Sequence, residues 1–158
     1  TLSIDQAGYW DALSKISNSY LGIITSTLSI YFLPKLSILQ DRLEIRQELL
    51  NGYKIITPIL IVIVAAVYLF RNNIIIVLYT SEFMEMSSLF SLQLAGDFFK
   101  IMSWLIAYLM IAKARVTMFI ISQIVFLIAS YLLSIYLISW IGLEGVVWAH
   151  FIIYVVPG

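Results

Sequence analysis

From Val116 to Ile141 the chain carries not one charged side chain. A helix over that run is ~39 Å long at ~1.5 Å per residue, more than the ~30 Å hydrocarbon core of a bilayer requires. Such a run leaves few folds open, because in lipid each backbone amide must find its partner within the protein. Three more charge-poor runs repeat the pattern, at about Ala7 to Leu33, Ile55 to Tyr79 and Leu89 to Ala112. A fifth opens near Gly145 and is cut off at Gly158, too short to cross. Charged residues make up 11% of the chain, against roughly a quarter in soluble domains. A soluble globular fold is excluded. Period-2 alternation is missing, so a transmembrane β-barrel has no support. The expected fold is all-α, a polytopic transmembrane helical bundle. Because the first residue is Thr1 and the last run is cut short, a fragment of a longer protein is expected.

Boundaries follow from local chemistry. Pro34 is expected to stop the first helix, since it cannot donate its backbone hydrogen bond. Pro58 is expected in the first turn of the second, where a missing N–H is harmless, and Arg71-Asn72-Asn73 interrupts that helix late. The connector 34–54 carries Lys35, Arg42, Arg46 and Lys54, and the tight Lys113–Arg115 turn adds two more cations. Positive-inside counting places both connectors in the cytoplasm, with Arg71, Glu82, Glu85 and Glu144 on the opposite side. Leu36, Leu39, Leu43 and Leu50 recur at helical spacing in the longer connector. An amphipathic helix lying on the cytoplasmic membrane surface is expected there, with a solvated loop helix as the alternative.

Nine Lys plus Arg balance nine Asp plus Glu, so the basic excess of a nucleic-acid binder is lacking and no nucleic-acid partner is expected. The absence of cysteine excludes disulfides, iron–sulfur clusters and thiolate zinc sites. His150 is the single histidine, and neither a metal site nor a cofactor is expected. It fits a hydrogen-bonded packing role better than a proton relay. No HExxH, GxSxG or paired acidic metal motif occurs, which points away from an enzyme.

Chemistry concentrates on two helices. At ~100° per residue, Asp11, Lys15, Asn18, Gly22, Thr25, Ser26 and Ser29 fall within about 60° of one direction. Leu13, Ile16, Tyr20, Ile24 and Tyr31 lie opposite. That polar stripe runs about 27 Å along the first helix, and each charge facing mid-membrane lipid would cost ~2.5–3.5 kcal/mol. The third helix gathers Gln93, Gly96, Asp97, Lys100, Trp104 and Tyr108 on one side, with Ser103 at the edge. In both helices an acid precedes a base by one turn. One reading is a pair of neutralised ion pairs locking helices together. The other is a hydrated cavity lined by both helices, turned toward a common interior. There Lys15 and Lys100 would attract an anion such as a phosphate, while Trp104, Tyr108 and Asn18 suit a sugar. Asp11 and Asp97 are also placed to act as proton-coupling carboxylates.

The strings AGYWDALSKIS (Ala7 to Ser17), YLGIITSTLSIYFLPKLS (Tyr20 to Ser37), IRQELL (Ile45 to Leu50), LAGDFFK (Leu94 to Lys100) and YLMIAKA (Tyr108 to Ala114) occur in this order. They resemble the Wzx-type flippases of O-antigen and enterobacterial common antigen, within the multidrug/oligosaccharidyl-lipid/polysaccharide exporter superfamily. The resemblance implies a twelve-helix, two-lobe transporter of which this chain is the later part of the second lobe, roughly helices eight to twelve. It implies translocation of an undecaprenyl-diphosphate-linked oligosaccharide across the bacterial cytoplasmic (inner) membrane, during surface-polysaccharide synthesis. Implied partners are that lipid-linked substrate, membrane lipid, the missing first lobe of the same chain and other polysaccharide-assembly proteins. Lys15, Asp97 and Lys100 match the family strings, and Asp11, Asn18, Trp104 and Tyr108 complete the expected substrate cavity. The rivals are a drug or cation exporter of the same superfamily, which would more naturally show acids without paired lysines, and a membrane-embedded polysaccharide polymerase, expected to carry a long charged outer loop. A purely structural subunit would not need two such stripes.

Overall fold

The computed structural model of the chain describes residues 4–155, in which every regular element is helical. They are α1 (Ile4–Ile38), α2 (Arg42–Leu78), a 3-10 stretch (Ser81–Leu89), α3 (Phe90–Ala112), α4 (Val116–Ile141) and α5 (Glu144–Val155). Four helical segments, counting the 3-10 stretch with α3, are long and apolar enough to cross a membrane. The chain is an all-α, multi-pass bundle. Gly158, where the fifth run was expected to be cut off, lies outside the described residues.

The connector departs from the sequence expectation. Pro34 lies inside α1, which continues to Ile38. Proline removes one donor, and the carbonyl it abandons belongs to Ile30, which is 78% exposed. The last turn is instead held by packing: Phe32 and Leu36 are buried with Leu105 of α3. Nor does a separate surface helix occupy 34–54, because only Leu39, Gln40 and Asp41 separate α1 from α2. Asp41 caps α2, its carboxylate accepting from the amides of Leu43 at 3.0 Å and Glu44 at 3.3 Å. Lys35 of α1 pairs with the buried Glu48 of α2 at 2.8 Å. Of the leucines expected to form one apolar face, Leu36 enters the core while Leu43 and Leu50 stay exposed. Pro58 therefore sits well inside α2, and the helix runs through Arg71-Asn72-Asn73. Arg71 covers the Tyr68 ring and donates to the Tyr68 carbonyl at 2.8 Å. With 37 residues, α2 is ~55 Å long and overshoots the hydrocarbon core by about 25 Å.

The hub of the bundle is α3, which touches α1, α2, α4 and α5. Three apolar tiers hold it. At one end Leu13, Ile16, Met86, Phe90 and Leu94 cluster with Ile75 of α2. In the middle Leu21, Leu60 and Ile101 meet, and at the basic end Leu28, Phe32, Leu36 and Leu105 do. Without a hydrophobic driving force in lipid, close van der Waals approach decides helix association. Glycine provides it three times: a Cβ on Gly52 would lie 2.8 Å from the Phe32 ring of α1, one on Gly96 2.5 Å from the His150 ring, and one on Gly145 2.4 Å from the Leu137 backbone of α4. Packed mainly on α5, α4 has no buried residue of its own. Its uncovered apolar surface suits lipid.

Candidate functional site

Asp97 stands at the centre of the bundle with none of its surface exposed. Three helices converge on its carboxylate. Tyr20 of α1 donates its hydroxyl to Oδ2. Oδ1 receives Gln93 Nε2 at 3.2 Å and His150 Nε2 of α5 at 2.9 Å. Gln93 Nε2 also reaches Ser17 Oγ at 3.2 Å, and Gln93 Oε1 is a buried acceptor with no partner. A buried carboxylate is tolerable only when its lone pairs are filled. Here the filling comes from tyrosine, glutamine and histidine. The Asp97–Lys100 pair expected from their spacing does not form: among the described residues, Asp97 pairs only with His150. Small Gly96 makes this possible, since α5 comes close enough there for the imidazole to reach.

Lys100 points elsewhere. Its ammonium lies over two rings, 5.6 Å from Trp104 and 5.8 Å from Tyr154 of α5, a cation–π setting for a partly desolvated charge. Trp104 also lines a cavity of about 230 Å³ between α3, α4 and α5, with Gln123 and Tyr154. Tyr108, one turn on, turns back to α1 and donates to the Thr25 carbonyl at 3.0 Å. The polar side of α3 therefore serves three neighbours instead of one cavity.

On α1 the candidate residues occupy the face away from α3. Asp11 and Lys15 form an i,i+4 ion pair at 2.6 Å, with side chains 62% and 67% exposed. Asn18, Gly22 and Ser26 continue that uncovered stripe, while Ala12, Leu13, Ile16, Ser17 and Leu21 fill the core face. The two sets do not share an interior within the described residues. Asp11, Lys15 and Asn18 look outward; Asp97, Lys100, Trp104 and Tyr108 are wrapped by neighbouring helices. Among the described residues no group of three His, Asp or Glu side chains gathers as a metal site.

Sequence reasoning misses two members of the Asp97 cluster: Tyr20 falls on the apolar side of the first helix, and Ser17 carries no signal of its own. His150 has the hydrogen-bonded packing role expected of it, with Asp97 as the partner that spacing could not name. The usable signal was charge accounting. A carboxylate deep in a membrane helix needs a donor, and the single histidine of the chain lies in another apolar helix.

No family model and no solved structure matches the chain. Two curated relatives do: the lipid III flippase of Escherichia coli (strain K12) and that of Shigella flexneri, each 35% identical over 122 residues. The aligned stretch is 77% of this chain and 29% of each relative, so the chain spans less than a third of their length. With four membrane-spanning segments and this similarity to lipid III flippases over most of its length, it is a multi-pass protein of the bacterial inner membrane.

Proposed function

We propose that the chain is the second-lobe part of a flippase that carries an undecaprenyl-diphosphate-linked oligosaccharide across the cytoplasmic membrane, for O-antigen or common-antigen synthesis. It acts as a transporter and not as an enzyme. The observation that carries this reading is the uncovered polar stripe of α1. A helix that spans a bilayer while leaving Asp11, Lys15, Asn18, Gly22 and Ser26 uncovered requires water or protein against that face, since hydrocarbon disfavours a polar stripe several turns long even where Asp11 and Lys15 are paired. The rest of the chain, including a first lobe, would supply the opposite wall of a hydrated path. Similarity to lipid III flippases supports a lipid-linked cargo. In this scheme Lys15 draws the diphosphate, Asn18 bonds sugar hydroxyls, and the prenyl tail stays in the bilayer. Asp97 holds α1, α3 and α5 together, and Lys100, Trp104 and Tyr108 support the path from behind.

One observation favours the drug or cation exporter instead: Asp97 faces His150 rather than a lysine. The two readings separate in proteoliposomes. The full-length protein is reconstituted with a fluorescent undecaprenyl-diphosphate oligosaccharide, and loss of the sugar's accessibility to an external glycosidase is followed. Protection that needs the protein, and that slows at least tenfold in the neutral variant Asp11→Asn/Lys15→Gln, supports the flippase. Protection no faster than in empty vesicles, with uptake of an organic cation, overturns it.

A further inference from the structure

The α1–α2 and α3–α4 turns lie far apart in sequence, yet Lys113 Nζ donates to the Leu39 carbonyl and ties them together. Between them is a pocket of about 810 Å³. Arg42, Arg46, Lys113 and Arg115, four of the nine basic residues of the chain, line it, and no acidic residue does. On α2 the lining positions Arg42, Ile45, Arg46 and Leu49 share one helical face. The carboxylate of Asp41 is committed to capping α2, and Glu44 lies on another side of the helix. Among the described residues none of the three arginine side chains makes an ion pair. Ala114, with φ 53°, adopts the left-handed conformation that L-residues avoid. That turn sets Lys113 and Arg115 on the same pocket. Beside Arg115, α4 begins without a side-chain cap, so the positive end of its dipole adds to the field.

Below the cations the wall becomes apolar through Leu49, Leu109 and Met110. No aromatic ring lines it, which disfavours a sugar. Cations above, hydrocarbon below and a position at the basic ends of membrane helices match the two halves of a lipid. Basic pockets between helices on the cytoplasmic side hold anionic headgroups in this way.

We propose that this pocket is a binding site for an anionic phospholipid of the surrounding cytoplasmic leaflet, held by its phosphate headgroup between Arg42, Arg46 and Arg115. The site is separate from the proposed transport path and does not depend on what is transported. The test uses the full-length protein in nanodiscs of phosphatidylcholine, titrated with spin-labelled phosphatidylglycerol, with spin-labelled phosphatidylcholine as the uncharged comparison. Immobilised phosphatidylglycerol is expected in the unaltered protein, with at least tenfold weaker binding in Arg42→Gln/Arg46→Gln/Arg115→Gln. Lys54→Gln, a basic residue outside the pocket, should bind normally. Circular dichroism and gel filtration of each variant guard against misfolding. Equal binding by the triple variant, or equal immobilisation of phosphatidylcholine, overturns the site. So does displacement of the lipid by micromolar pyrophosphate, which would mark a soluble-anion site instead.

Discussion

Replacing Asp97 by alanine removes the acceptor for three donors at once: Tyr20 Oη, Gln93 Nε2 and His150 Nε2. In water-soluble cores each stranded donor costs ~1–3 kcal/mol. Within a membrane the figure is smaller, about 0.6 kcal/mol per interhelical bond with a ceiling near 1.7, because the unfolded reference also finds partners. The Tyr20 and His150 bonds cross between helices while the Gln93 bond lies within α3, so Asp97→Ala should lose roughly 1–3 kcal/mol. Asparagine keeps an oxygen for Gln93 and His150 and turns an amide toward the Tyr20 hydroxyl, which can accept. Asp97→Asn should therefore lose about 1 kcal/mol or less. Unfolding of the full-length protein in mixed micelles, titrated with dodecyl sulfate and followed by tryptophan fluorescence, measures both. A loss below about 1 kcal/mol for alanine, or equal losses for both variants, would refute the claim that this carboxylate fastens α1, α3 and α5.

Further consequences can be checked in the same system. Gly145→Ala places a methyl 2.4 Å from the Leu137 backbone and should cost ~1–3 kcal/mol of stability by forcing α5 off α4, whereas Gly22→Ala, with open space around it, should cost nothing measurable. Lys35→Met leaves the buried Glu48 without its 2.8 Å partner and should lower stability only modestly, because solvent reaches Lys35, and Lys35→Met/Glu48→Leu should recover the loss. Single cysteines at Glu82, Arg42 and Lys113, probed in intact cells with an impermeant thiol reagent, should label at position 82 alone if the basic turns are cytoplasmic.

The four spans were legible because hydropathy and length are local properties, and a run such as Val116–Ile141 has no other use in a folded chain. The α1–α2 junction was not. Proline is a stop signal only where packing does not hold the helix on, and the burial of Leu36 against Leu105 could not be read before the partner helix was known. Leucine spacing from Leu36 to Leu50 also misled, because it is equally helical in one surface helix and in two membrane helices joined at Asp41. The α1 stripe was legible as an amphipathic pattern. Its relation to α3 was not, since periodicity gives the direction of a face relative to its own helix and never to a neighbour. Asp97 pairs across 77 positions with Tyr20 and across 53 with His150. Spacing along α3 suggested Lys100 instead. Local geometry permits that pair, but Lys100 gains two aromatic rings by turning away.

Water against the outward face of α1 is the most direct test of the transport reading. The described chain has no cysteine of its own, which simplifies single-cysteine scanning of a full-length protein whose other cysteines are removed. Cysteines at Asn18, Gly22 and Ser26 on the stripe, and at Val125, Ile128 and Leu132 on the uncovered surface of α4, would be exposed to a small hydrophilic maleimide in native membranes. Thiols react as thiolates, which form in water and not in hydrocarbon. Rapid alkylation at the three α1 positions, with none at the α4 positions, is the expected result. Stripe positions as unreactive as those on α4 would mean that lipid or dry protein covers α1, and the transport path would not run there.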